Sequence, residues 1–184
     1  MQSQALVNKI LLDVGDTKLN NLISFLAGVT LLALLAQIAI PLPWTPVPVT
    51  GQTFGVTLIA LLWGKKRAFA IVSAYLIVGV VGLPVFAAST MGVATSGYLV
   101  GMLFSSIVVG HFSDLGWSSS FKKAWFAGFL GSCVTFAFGL TVLSFFVPFE
   151  ALLISGLLPF LPGDLVKTVT AAFIANKSNK FMNS

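Results

Sequence analysis

Charge is scarce in this sequence. Only 8% of its 184 residues are Asp, Glu, Lys or Arg, against about a quarter in soluble domains, and none falls between Lys18 and Lys65. Such a chain lacks the polar coat that a water-facing surface requires, which excludes an ordinary soluble fold. Cysteine is nearly absent too: with Cys133 alone there is no internal disulfide and no thiolate metal cluster, and Cys133 is expected as a small core residue. The single histidine, His111, falls near the cytoplasmic end of the fourth predicted span, far along the membrane normal from Asp164, and with only Asp164 at membrane depth the acidic residues do not form a metal-holding set for phosphoryl transfer. No glycine-rich loop ending in Gly-Lys-Ser/Thr occurs, so nucleotide hydrolysis within the chain is excluded on motif grounds. The expectations are therefore no enzyme, no catalytic residue, no metal, no cofactor and no nucleic-acid partner.

Apolar residues fill the space that charge leaves. They make up 57% of the chain, with a mean hydropathy of +1.01, the signature of an integral membrane protein. A hydrocarbon core of about 30 Å needs about 20 apolar residues per helix, so the length suits one bundle and no soluble domain. The sequence thus predicts an all-α membrane protein over residues 1–184 in a single domain. Residues 1–20, which carry Lys9, Asp13, Asp16 and Lys18 without a signal-peptide pattern, are expected to be a short amphipathic lead-in at the membrane surface.

Prolines and glycines divide the rest. The run Pro41-Leu42-Pro43-Trp44-Thr45-Pro46-Val47-Pro48 cannot continue a helix, because proline lacks the amide donor and clashes with the preceding turn. Further breaks are expected at Lys65-Lys66-Arg67, at Gly82-Leu83-Pro84, over Ser113 to Lys123 and from Pro148 to Pro162. Six transmembrane helices result, at about 22–40, 51–63, 68–83, 96–112, 124–147 and 163–176. Trp44, Trp63, Trp117 and Trp125 lie near predicted span ends and suit interface anchors.

Basic residues in short loops stay on the cytoplasmic side. Lys9 and Lys18, Lys65 to Arg67, Lys122 and Lys123, and Lys177 and Lys180 all fall on one face of a six-span bundle, and the opposite loops carry none. Both termini are therefore expected in the cytoplasm, with the chain crossing the cell's inner (cytoplasmic) membrane several times in contact with the lipid bilayer.

Lys167 breaks that pattern. It lies in an apolar stretch, "PFLPGDLVK", three residues after Asp164, and an ionised group at membrane depth costs at least about 2.5 to 3.5 kcal/mol on insertion scales. The spacing puts both side chains on one helix face, where each can offset the other's charge, beneath a break made by two prolines and a glycine. That pattern fits either a structural ion pair or the polar part of a ligand cavity. Two uncharged segments reach the same outer side: Val47 to Thr53, with Gln52, and Ala87 to Tyr98, with Ser89, Thr90 and Tyr98. Uncharged donors and acceptors, aromatic walls and one Asp/Lys pair suit a small, partly polar organic molecule.

Three stretches carry a resemblance. "PVPVTGQTFGV" (Pro46 to Val56), "YLIVGVVGLPVFA" with "SGYLVG" (Tyr75 to Ala87 and Ser96 to Gly101), and "PFLPGDLVK" (Pro159 to Lys167) resemble the BioY family, the biotin-binding S components of energy-coupling factor (ECF) transporters. The likeness spans about residues 22 to 176. It implies an S-component-like bundle and biotin uptake as the substrate-binding membrane subunit, with a membrane scaffold subunit and two cytoplasmic ATPase subunits as partners. It also implies an outward-facing biotin site under the first outer loop. Family contacts fall on Asp164 and Lys167, with Thr90 the nearest polar match in the loop after "GLPVFA". The chain departs from the family pattern at Ala88-Ser89-Thr90, where a glycine-rich run is usual, and at Ala94-Thr95-Ser96. On the first helix, where S components dock their scaffold through small residues four apart, it has Ala33, Ala36 and Ala39 at intervals of three. The alternatives are a stand-alone carrier of biotin or of another small vitamin-like molecule and, least favoured, a membrane-embedded enzyme.

Overall fold

The computed structural model describes residues 17–87 and 92–182. The first helix, α1 (Thr17–Gln37), is followed by a two-residue strand β1 (Ala39–Ile40), the proline-rich loop and a second strand β2 (Val49–Thr50). The strands pair antiparallel, Ala39 opposite Thr50 and Ile40 opposite Val49, so the loop is a stiff flap on a short ribbon. Helix α1 starts earlier than the expected residue 22, absorbing the last residues of the predicted lead-in; the rest of that lead-in lies outside the described residues. It also stops before residue 40, because the ribbon takes the backbone hydrogen bonds of Ala39 and Ile40.

Helix α2 (Gln52–Val80) is broken at Gly64, whose φ of 74° and ψ of 178° lie in a region that essentially only glycine enters. Its two halves fold back on each other. In a continuous helix, residues 52 and 75 would be about 34 Å apart, yet the Gln52 amide Nε2 donates to the Tyr75 hydroxyl at 2.6 Å. Glycine at 110 lets the hairpin pack tightly: a Cβ there would lie 2.5 Å from Lys65 Cα. Asp114 Oδ2 accepts from the Lys65 backbone N–H at 3.1 Å and so serves one of the orphan donors at the start of the returning half.

A 3₁₀ turn leads into α3 (Ser96–Asp114), and α4 (Phe121–Leu143), the short α5 (Phe149–Gly156) and α6 (Leu161–Met182) complete the chain. Helix α4 ends before the expected residue 147. Its chain leaves through tight turns, Phe145 N–H to Val142 and Phe146 N–H to Leu143, and Pro148 disfavours helical geometry at the residue before it. Small residues bring α3 and α4 together: Gly101 lies against the Thr135 backbone and Gly131 against Ser105, the close approach typical of helices in lipid.

Leu32, Ile59, Leu61, Ile71, Tyr75 and Val109 are buried in the core. The outer surface is also apolar, with Leu34, Ile77, Val80 and Phe173 exposed, which matches a lipid-facing surface. Among the described residues, four helical stretches are long and apolar enough to cross a membrane: Lys18–Gln37, Val93–Asp114, Phe121–Leu143 and Phe149–Phe181. The two halves of α2, 52–63 and 65–80, measure about 18 and 24 Å at 1.5 Å per residue and meet at the Lys65-Lys66-Arg67 cluster.

Two expectations change. Cys133 is exposed rather than in the core, because it shares a face of α4 with the outward Phe126 and Phe129. The small-residue stripe of α1 is not a surface feature: Ala36 is fully buried against the bundle, and Ala39 belongs to β1. Trp44 is exposed, and Trp63, Trp117 and Trp125 are partly buried against the core.

Hydrogen bonds sort the ends of the bundle. Arg67 Nη2 donates to Asn21 Oδ1 at 2.6 Å, and Asn176 Nδ2 to the Ser119 carbonyl at 2.6 Å. With the Lys65 to Asp114 contact, they gather the basic turns at one end. The ribbon and the starts of α2, α3 and α6 gather at the other.

Candidate functional site

A cavity opens at the end opposite the basic turns, about 560 Å³ with its open mouth included. The flap contributes Val47, Pro48 and Thr50, and the first turn of α2 contributes Gln52 and Thr53. The 3₁₀ turn before α3 supplies Thr95, and α3 supplies Tyr98, Leu99 and Met102; α4 supplies Thr135 and Phe136. Phe160, Asp164 and Lys167 close the wall from the start of α6. Pro162 suits that start, since its missing N–H is one of the orphan donors of a helix N-terminus, and the Asp164 N–H reaches back to the Phe160 carbonyl at 2.8 Å. Asp164 and Lys167 therefore share the cavity-facing side of one helical turn.

They do not close the direct ion pair that their spacing allows. Asp164 Oδ1 accepts from the Ser132 hydroxyl of α4 at 2.9 Å. The Lys167 ammonium donates to the Thr50 carbonyl at 2.7 Å and to Thr53 Oγ1 at 3.3 Å. Each charge has a partner on a different neighbouring element, so the two remain separate, with opposite signs on one wall. A carboxylate offers about four lone-pair positions and an ammonium three protons, so both keep capacity for a ligand. An uncharged molecule with donors and acceptors at one end gains from both. So does one with an acid group.

Gln52 and Tyr98 line the cavity as expected, but their polar atoms are committed to the protein. Gln52 is 2% exposed; its Oε1 accepts from the Thr50 hydroxyl at 2.9 Å, and its Nε2 serves Tyr75. The Tyr75 hydroxyl in turn donates to the Val85 carbonyl at 3.3 Å. This buried chain ties the flap to the segment that follows α2. The Tyr98 hydroxyl donates to the Gly156 carbonyl at 2.7 Å, which leaves its ring as a wall between Phe136 and Phe160, with centroids 6.4 Å away in each case. Gly139 leaves the room that this ring occupies. Ser89 and Thr90 lie outside the described residues.

Sequence reasoning missed the α4 contribution. Ser132, Thr135 and Phe136 carry no charge and sit in an apolar run, but Gly128, Gly131, Ser132, Thr135 and Gly139 recur at intervals of three and four. That small-residue face marks a helix meant to be approached closely. Among the described residues no group of three or more His, Cys, Asp or Glu gathers as a metal site.

Comparison with known proteins agrees with this architecture. The model of the BioY family matches residues 6–184. Similar proteins include the biotin transporter BioY of Thermotoga maritima, 36% identical over 84% of this chain and 94% of the relative. The probable biotin transporter BioY of Pyrococcus horikoshii is 34% identical over 81% and 90% respectively. Among solved structures, the crystal structure of the S-component for biotin from an ECF-type ABC transporter superposes with a TM-score of 0.81 at 27% identity, covering 91% of this chain and 94% of that one.

Proposed function

The chain belongs to the BioY family, and from that premise we infer that it takes up biotin as the substrate-binding membrane subunit of an ECF-type transporter. It is a transport protein and not an enzyme. The observation that carries this reading is the cavity wall on which Asp164 and Lys167 stand apart, each held by its own partner. Biotin has a neutral ureido ring with two N–H donors and a carbonyl acceptor, an apolar thioether ring and a carboxylate on a flexible tail. Asp164 accepts a ureido N–H, Lys167 donates to a ligand oxygen, and Phe136, Phe160, Leu99 and Met102 cover the apolar rings. Charge-assisted bonds of this kind contribute about 1.5 to 3 kcal/mol each. Biotin is the cargo, and no resident cofactor takes part. Ser89 and Thr90 are proposed as further contacts to biotin.

Six crossings follow when the two halves of α2, each shorter than the hydrocarbon core, span a locally thinned stretch of bilayer. The basic turns then lie in the cytoplasm with both termini, the cavity opens outward, and the membrane is the inner, cytoplasmic one. A nucleotide site is missing from the sequence motifs, so energy comes from partners: a membrane scaffold subunit and two cytoplasmic ATPases. The supporting observation is the close likeness to the S-component of an ECF-type ABC transporter.

Radiolabelled biotin uptake into liposomes tests the assignment. The isolated protein is expected to bind biotin without accumulating it, and to accumulate it once co-reconstituted with an ECF module and internal ATP. Concentrative uptake by the chain alone would instead identify a stand-alone carrier.

A further inference from the structure

Ser132 is a residue that the family resemblance does not single out and that the cavity wall does not include. It lies in the middle of α4, 8% exposed, with its hydroxyl donating to Asp164 Oδ1 at 2.9 Å. The helices meet closely here: a Cβ on Gly128, one turn away, would sit 3.2 Å from Thr57 and 3.5 Å from Thr168. The Asp164 main chain is held from the other direction, since the Thr168 hydroxyl donates to its carbonyl at 3.0 Å. Asp164 is thus fixed at the backbone by its own helix and at one carboxylate oxygen by another.

We propose that Ser132 is a positioning residue for substrate recognition, holding Oδ1 of Asp164 from behind so that Oδ2 is presented to the ligand. The inference rests on the biotin reading above and adds to it. A serine hydroxyl has one proton to give, and here that proton goes to the carboxylate, so the bond restricts rotation of Asp164 without using a group that touches the ligand. A carboxylate anchored at one oxygen meets one ligand N–H through the other in a preset direction, and the rotamer freedom lost on binding is correspondingly smaller. Lys167 is fixed by the same logic, through Thr50 and Thr53. The two charges therefore approach the ligand from pre-set positions instead of from each other's reach.

The test is equilibrium biotin binding to the purified full chain and to Ser132→Ala, Ser132→Thr and Ser132→Val. Threonine keeps the hydroxyl and valine replaces it by a methyl of the same shape, so the last two variants separate the hydrogen bond from packing. Loss of a hydrogen bond to an ionised group predicts about tenfold weaker binding in Ser132→Ala and Ser132→Val. Ser132→Thr should stay clearly tighter than Ser132→Val. Equal affinities for the threonine and valine variants, at any level, would overturn the proposal, as would an unchanged Ser132→Ala. Failure of the unaltered protein to bind biotin would overturn the substrate reading itself, and the role of Ser132 with it.

Discussion

Tyr75 shows how much of this site rests on residues that never meet a ligand. It is 1% exposed, yet its hydroxyl accepts from Gln52 and donates to Val85, joining the flap side of the cavity to the segment that follows α2. Tyr75→Phe removes that acceptor and strands the Gln52 amide in a dry place, which predicts a loss of about 1 to 3 kcal/mol. A lowered melting temperature in detergent, with the fold retained, is the expected result. At this scale the sequence was informative where charge was scarce: Asp164 and Lys167 stood out because nothing else near them is ionised, and both line the cavity. Their geometry was not legible. Spacing of three residues allows an ion pair, but Ser132, Thr50 and Thr53 approach from other elements, and only tertiary packing reveals them. The exposure of Cys133 was hidden for the same reason, since an apolar run does not say which side faces lipid.

At the scale of elements, the sequence marked the breaks well and the ends poorly. Four prolines in the flap and the Lys65-Lys66-Arg67 cluster announced where helices cannot run on, because proline lacks a donor and charge avoids the membrane interior. The ribbon of β1 and β2 was not legible: two residues on each side carry no alternating pattern, and the pairing depends on the flap folding back. Gly64 is the element-scale prediction. At its φ of 74° and ψ of 178°, a β-branched side chain is sterically strained, and the reversal that lets Gln52 meet Tyr75 depends on it. Gly64→Val should cut the monodisperse fraction on size-exclusion chromatography severely, whereas Gly92→Ala should be mild, since Gly92 has a φ of -85° and a Cβ there meets nothing within 4 Å.

For the whole molecule, the one-sided placement of basic residues and the hydrogen bonds that gather them at one end argue for cytoplasmic termini and an outward cavity. In a Cys133→Ala background, a cysteine at Ser89 should react with a membrane-impermeant thiol reagent added outside intact cells, and a cysteine at Ser119 should not. The opposite labelling pattern would invert the topology. The capture of biotin in the outer cavity is tested most directly by titrating biotin into purified Asp164→Asn/Lys167→Met beside the unaltered protein. Replacing both charges removes the two binding groups together, whereas a single replacement leaves the other charge at membrane depth without its opposite. The double variant should insert and purify as a monodisperse protein and bind no biotin. A double variant that folds and keeps near-normal affinity would contradict the assignment, leaving Asp164 and Lys167 as structural staples and the biotin site elsewhere.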